Sequence, residues 1–484
     1  MSEYEVVIGL EIHAELLTKS KIFCGCTTEF GGEPNSHCCP ICLGLPGALP
    51  VLNEKAVEYA IKAGLALNCQ IPGYSKFDRK NYFYPDLPKA YQISQFDLPV
   101  CVQGRVDYEL EEMQQSTGIT RVHMEEEAGK SVHSGDNILG SDFSLMDYNR
   151  TGIPLIEIVT EPDLRSAAEA KAFLEQLKSI LQYIKVSDCK MEEGSLRCDA
   201  NVSLRLKGTK EFGTKVEIKN LNSFRAVERV LEYEIRRQRQ VYEQGGSIVQ
   251  ETRTWDDSRM ITVSMRSKEE SHDYRYFPEP DLVPLEIDLN WVRSLKEGLP
   301  ELPLAKKHRL MEQYDLSSMD ADQLTTDQEM AFYFERTVAS YTNGKVVSNW
   351  LTGDFSRLLN TSGLEISKVK VTPQQLAELL RLIDEGIISG KQGKDVLTEM
   401  FCSGTAPEQI IKDKGFEQIS DSKALEQISA DIIAANPQIV QRYQDGEDRL
   451  LGFFVGQVMK ETKGKANPGL VNALLREKLK ATDS

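Results

Sequence analysis

Alternation of apolar and polar positions dominates roughly the first 290 residues and predicts strands. Over 194–205, Leu196, Cys198, Ala200, Val202 and Leu204 fall on one face, while Arg197, Asp199, Asn201 and Ser203 fall on the other. Similar alternation marks 7–16, 120–125, 215–219 and 249–253. Strands with one charged face suit a mainly antiparallel sheet that buries a core on one side only. Helical stretches interrupt them. Ser166-Ala-Ala-Glu169 predicts a capping box, in which hydroxyl and carboxylate satisfy free backbone donors. Phe173, Leu174, Leu177, Ile180, Leu181 and Ile184 then supply the apolar stripe. From about residue 300 the pattern turns helical: Thr372 and Pro373 start one helix, Gly386 ends it, and Ser389 with Gln392 starts another. Pro278, Pro280, Pro284, Pro300 and Pro303 mark a stretch that cannot hold a long helix. The expected fold class is α+β, with the main boundary in that stretch.

Charge narrows the partners. A net charge of −17 argues against wholesale coating of nucleic acid, though a local basic patch stays open. Residues 460–480 are the basic part of an acidic tail: Lys460, Lys463, Lys465, Arg476, Lys478 and Lys480 stand against Glu461 and Glu477. The first residues lack a signal-peptide pattern, and no run approaches the roughly 20 apolar residues of a membrane span. A cytoplasmic protein is expected.

Five of the ten cysteines crowd into residues 24–42, which suggests metal rather than disulfides. Cys24 and Cys26, then Cys39 and Cys42, are close thiol pairs that can close a tetrahedral shell around zinc. Cys38 or His37 can replace Cys39 at this level. Four protein ligands leave no open position, so the expected role is structural.

The polar strand faces carry a second constellation. Glu11 and His13 are two apart, as are His123 and Glu125, so each pair projects to one side. Asp199, Glu217 and Glu251 occupy comparable positions near Arg197, Lys219 and Arg253. Carboxylates gathered with cations suit a hard divalent metal and a polyphosphate. Imidazole is unusual among magnesium ligands, so His13 either sits behind the ligands or selects another metal. Solvent-facing charge on an antiparallel sheet produces the same pattern. No phosphate-loop, zincin or dinucleotide signature is present; 208–215 departs from the phosphate loop by reading Thr-Lys where Lys-Thr or Lys-Ser is required.

Longer blocks carry a resemblance. Gly9-Leu-Glu-Ile-His13, Cys42-Leu-Gly-Leu-Pro-Gly-Ala-Leu-Pro50, Phe77-Asp-Arg-Lys-Asn-Tyr-Phe-Tyr-Pro-Asp86, Lys190-Met-Glu-Glu-Gly-Ser-Leu-Arg-Cys-Asp-Ala-Asn201 and Asp273-Tyr-Arg-Tyr-Phe-Pro-Glu-Pro-Asp281 resemble the B subunits of tRNA-dependent amidotransferases. Asn349-Trp-Leu-Thr-Gly-Asp354 is the clearest segment in the helical part. The resemblance implies a cradle-shaped catalytic domain over 1–292, a helical domain over 293–404 and a tRNA-binding tail over 405–484. It implies that ATP phosphorylates the side-chain carboxylate of Glu-tRNA(Gln) or Asp-tRNA(Asn), and that ammonia then forms the amide. Partners would be an amidase A subunit, which supplies ammonia from glutamine, and a small C subunit, in a heterotrimer.

By the same resemblance, Glu125, His13 and Asp199 are catalytic, and Glu11, His13, Glu125, Glu217 and Glu251 bind Mg2+. Lys190, Arg197, Lys219 and Arg253 contact ATP phosphates; Cys24, Cys26, Cys39 and Cys42 hold Zn2+. The six basic tail residues contact tRNA. One departure stands out: the family commonly has aspartate where this chain has Glu127. Two other classes compete: a self-sufficient ligase that amidates a small acid with free ammonia, and a non-catalytic zinc protein that binds tRNA.

Overall fold

The computed structural model describes residues 3–133, 143–267, 273–416, 422–444, 446–462, 466 and 468–480. It divides into two compact units, Met1–Ala305 and Lys306–Ser484. The first opens with β1 (Tyr4–Glu15), α1 (Glu54–Ala66), β2 (Tyr74–Ser75), β3 (Asp78–Asn81), β4 (Tyr91–Ser94), β5 (Cys101–Leu110) and β6 (Met113–Glu126). It continues through β7 (Lys130–His133), β8 (Ser144–Asp147), β9 (Pro154–Thr160), α2 (Ala167–Tyr183), β10 (Leu196–Leu206), β11 (Val216–Leu221) and α3 (Phe224–Glu243). Last come β12 (Glu251–Asp256), β13 (Ile261–Ser267), β14 (Phe277–Pro278), β15 (Leu285–Glu286) and α4 (Leu289–Glu297), a short helix between Pro284 and Pro300.

Eight strands form the main sheet in the order β13-β12-β11-β10-β1-β9-β6-β5. All neighbours are antiparallel except β11 and β12, which run parallel. The alternation expected along β10 is observed: Leu196, Cys198, Ala200 and Val202 are buried, while Arg197, Asp199 and Asn201 are partly exposed. Leu10, Ile12 and Ala14 of β1 share one hydrophobic cluster with Phe173 and Leu177 of α2 and Val227 and Val230 of α3. The opposite face is polar, and the small sheet β14-β3-β4 stands beside it.

Helix starts follow the expected chemistry, with one change. The Ser166 hydroxyl accepts from the Glu169 N–H at 3.1 Å, but the Glu169 carboxylate accepts from Arg165 at 2.7 Å, one residue before the cap. In the second unit, helix Pro373–Asp384 has the full Thr372/Gln375 capping box and helix Gly390–Ser403 that of Ser389/Gln392. This unit is helical throughout its described residues and carries two hydrophobic clusters, one centred on Phe334, Phe355 and Leu380, the other on Phe454, Val471 and Leu475. No helix among the described residues is long and apolar enough to cross a membrane.

Candidate metal centres on the first unit

Strand register assembles the polar face. His13 lies opposite both Glu157 of β9 and Arg197 of β10, and Glu157 lies opposite His123 of β6. The His13 Nε2 is 3.3 Å from Glu157 and 3.7 Å from Glu125; the His123 Nε2 is 3.4 Å from Glu157 and 3.8 Å from Glu125. His123 takes a hydrogen bond at Nδ1 from Arg121 at 3.3 Å, which leaves Nε2 to carry its hydrogen toward the carboxylates. His123 therefore orients the acids, whereas His13, Glu125 and Glu157 present ligand atoms within 4.8 Å of one another. The Ser94 hydroxyl donates to Glu125 at 3.2 Å.

The electrostatics match. Burial opposes the charge of Glu157, yet His123 and His13 hold its pKa far below the usual carboxylate range. Burial likewise opposes Glu125, and His123 with Lys80 brings it down. Burial works against protonating His13, but the facing Glu157 and Glu125 raise its pKa. Lys80 of β3, disfavoured by burial and favoured by Glu125 and Glu157, is held above its ordinary value.

Beside this lies a second group. Glu11 faces Asp199, and the Asn201 amide donates to Glu11 at 2.9 Å. The Lys219 ammonium reaches Asp199 at 2.7 Å and Glu217 at 3.2 Å. A 290 Å³ cavity borders it, lined in part by Gly9, Glu11, Asn201, Ser203, Phe212 and Lys215.

Three expected residues are placed differently. The parallel β11–β12 pairing sets Glu217 opposite Thr252, not Glu251, and sets Arg253 opposite the buried Ile218, on the core face. Arg253 consequently turns toward α3: it donates to Thr262 at 2.8 Å, lies 3.8 Å from buried Glu234, and pairs with Glu251 at 2.5 Å. Glu251 and Arg253 thus belong to a network with α3, away from Glu217 and Asp199. Lys190 is exposed and paired with Glu193 at 2.9 Å. Arg197 is engaged by Glu127, which also lies 3.7 Å from Arg150, so the longer acid at 127, itself buried, is paired with two partly exposed arginines. Glu157 and Lys80 are the site residues that the strand alternation did not single out.

Glu15 ends β1 near Glu127, Arg150, Arg197 and Asp188, where burial first and Glu127 second push its pKa up to about 7. The folded carboxyl prefers its proton. Its contribution is therefore complete below the ordinary value of 4.5, declines as pH rises toward about 7, and is lost above it. Glu15→Gln should stabilise the protein by up to about 3 kcal/mol at about pH 8 and leave it unchanged in acid. Urea unfolding at the two pH values checks this, and equal effects at both would refute it.

The second centre is the thiol cluster. The Sγ atoms of Cys24, Cys26, Cys39 and Cys42 lie within 4.8 Å of one another, a set able to hold a metal ion. Cys38 instead directs its Sγ toward Asn149 Oδ1 at 4.0 Å, and the His37 N–H donates to the same oxygen at 2.8 Å. Of the three alternatives open in the sequence, Cys39 joins the cluster. Hydrogen bonding from the Cys24 thiol outweighs burial and draws Cys42 down to about 4.

In the second unit, Lys460 and Arg476 are exposed and Lys478 is half-buried. Lys480 closes the last helix, and Lys463 and Lys465 lie outside the described residues.

Fold and geometry together define an α+β protein with two candidate metal centres on a sheet unit and an appended helical unit. Residues 6–293 match the family model of the GatB/GatE catalytic domain, and residues 332–479 match that of the GatB domain. The chain belongs to the GatB family. It is 59% identical to the B subunit of the aspartyl/glutamyl-tRNA(Asn/Gln) amidotransferase of Carboxydothermus hydrogenoformans over 479 residues, covering 99% of each. Identity is also 59% to the counterpart in Moorella thermoacetica, over 99% of this chain and 100% of the relative. It is 55% to the counterpart in Brevibacillus brevis, over 99% of each.

Proposed function

We propose that this chain is the B subunit of a tRNA-dependent amidotransferase, a ligase that converts Glu-tRNA(Gln) or Asp-tRNA(Asn) to the amide. The observation that carries the residue assignment is the His13–Glu125–Glu157 cluster beside a cation-bearing row and a cavity on one polar face. A carboxylate is a poor acyl donor. In the proposed sequence its oxygen attacks the γ-phosphorus of ATP and ADP leaves. Ammonia then attacks the acyl carbon, the carbon–oxygen bond breaks, phosphate departs, and nitrogen loses a proton.

Each residue has a task. The carboxylates of Glu125 and Glu157, within 4.8 Å of each other and of the His13 imidazole, fit a hard divalent ion that takes oxygen ligands and keeps open positions for phosphate and water, with His13 behind them. Magnesium, when bound there, supplies positive charge to the transferring phosphoryl group. His123 and Ser94 fix the acids. Lys219, steadied by Asp199 and Glu217, faces the phosphates, and Glu11 with Asn201 borders the nucleotide cavity. Arg197 remains a candidate phosphate contact once released from Glu127.

Zinc suits the thiol cluster: a tetrahedron with Zn–S bonds of about 2.3 Å has edges of about 3.8 Å, and Cys39 and Cys42 are 3.8 Å apart. An amidase subunit and a small third subunit complete the proposed heterotrimer. The three modules 1–292, 293–404 and 405–484 divide catalysis from tRNA reading. Lys460 and Arg476, exposed on the tail, are assigned to tRNA phosphates. Replacing both by alanine should lower the salt slope of tRNA binding by about two and weaken binding of all tRNA species alike. An unchanged slope would remove them from the interface.

The reconstituted complex, given ATP, ammonium and Glu-tRNA or Asp-tRNA, should release ADP only when the aminoacylated tRNA is present. No stimulation by either would overturn the function.

A further inference from the structure

An aromatic wall beside the cluster has no part in the chemistry above. Phe96 stacks on Tyr276 with ring centroids 4.2 Å apart and planes 8° from parallel. Tyr276 meets Tyr274 edge-on at 6.0 Å, and Tyr274 meets Tyr82 at 5.7 Å. Lys80 lies over Tyr82 and Tyr274, 5.7 and 5.2 Å from their centroids, and interacts with Glu125 and Glu157. The wall thus runs from Phe96, which is 56% exposed, to the ammonium beside the cluster. An exposed stacked pair offers a flat apolar face to another planar group.

Arg275 stands between the two tyrosines with φ 45°, a left-handed backbone rarely taken by a long side chain. The Asn81 amide holds it there, donating to the Tyr274 and Arg275 carbonyls at 3.3 and 2.8 Å, while Asp273 accepts from the Arg275 N–H at 2.9 Å. Strain maintained by such bonds is typical of a residue that must present its side chain in one place. Arg275 is exposed, and among the described residues no carboxylate lies within ion-pair distance of its guanidinium. Stacking rings beside an exposed guanidinium are a means by which proteins hold unpaired nucleotides.

We propose that Phe96, Tyr276 and Arg275 seat the single-stranded 3′ end of the aminoacyl-tRNA. The terminal adenine stacks on Phe96, Arg275 takes an adjoining phosphate, and Lys80 draws the side-chain carboxylate toward the cluster. This assignment rests on the amidotransferase function. ATP carries the same base, but Phe96, Tyr276 and Arg275 are not among the residues that line the cavity assigned to the nucleotide. In-line phosphoryl transfer needs donor and acceptor on opposite sides of the phosphorus. The cavity end goes to ATP and the wall to tRNA.

The test measures the KM for Glu-tRNA and for ATP separately, in the assembled enzyme. Phe96→Ala should raise the KM for Glu-tRNA by about tenfold and leave that for ATP unchanged, with Phe96→Trp restoring it. Arg275→Ala should reduce the salt slope of the tRNA KM by about one. A Glu-tRNA with an abasic 3′-terminal nucleotide should cost the wild type the same factor and Phe96→Ala nothing further. An unchanged tRNA KM in Phe96→Ala overturns the seat, and a raised ATP KM instead gives the wall to the nucleotide and overturns it too. Both outcomes presuppose an active wild type, whereas a wild type without tRNA-stimulated ADP release sinks the function and the seat together.

Discussion

Glu125→Gln is expected to lower tRNA-stimulated ADP formation by roughly a thousandfold while leaving tRNA binding intact. The substitution preserves shape and removes one charge. In the folded protein that charge is 3% exposed and faces His13 at 3.7 Å, His123 at 3.8 Å and the Lys80 ammonium. An amide in its place loses a carboxylate of the candidate metal cluster and leaves Glu157 as the one acid of that cluster facing the Lys80 ammonium. The neutral side chain also forfeits the electrostatic preorganisation on which phosphoryl transfer depends, because that reaction takes most of its acceleration from fixed charge. A burst of ADP in wild type that is absent from the variant places the kinase step on this face. Undiminished turnover would remove Glu125 from the mechanism without touching family membership.

The second large effect is expected at the thiol cluster. Cys42→Ser should abolish stoichiometric metal retention and destabilise the first unit by about 3–5 kcal/mol. Cys42 is the most buried of the four clustered thiols and accepts a 3.0 Å hydrogen bond from the Cys39 amide, so it anchors the second thiol pair. The chain around it has little apolar core of its own: Phe30, Leu45, Leu49 and Val51 are all half or more exposed. A metal held between residues 24–26 and 39–42 would replace the apolar core that this segment lacks. Metal content by mass spectrometry, with thermal unfolding before and after chelation, reads both quantities. Retained metal with unchanged stability would show that these cysteines pack without ligating.

The same physics decides what was legible in the sequence. β1 and β10 announced themselves because only one of their faces is covered, so burial imposes a strict period of two. β9 did not: Pro154-Leu-Ile-Glu-Ile-Val-Thr160 is buried almost throughout, and its Glu157 is a lone acid in an apolar run. The usable signal was physical, since a buried carboxylate persists only with partners. Glu251 and Arg253 were misplaced because alternation within a strand says nothing about register, and β11 and β12 pair in parallel. Choosing Cys39 over Cys38 depended on Asn149, 111 residues further along. The capping boxes at Thr372 and Ser389, by contrast, are local and were readable outright.

The position of β1 has a consequence for synthesis. β1 leaves the ribosome before both of its neighbours in the sheet, β9 and β10, which come from residues 154–206. At about 5–20 residues per second, this strand waits on the order of ten to forty seconds for its partners. Throughout that interval Val7, Ile8, Leu10 and Ile12, buried in the finished protein, have no sheet to enter. The domain therefore closes late, when β9 and β10 arrive on either side of β1, and its nascent chain is a natural client for chaperones that shield apolar strands.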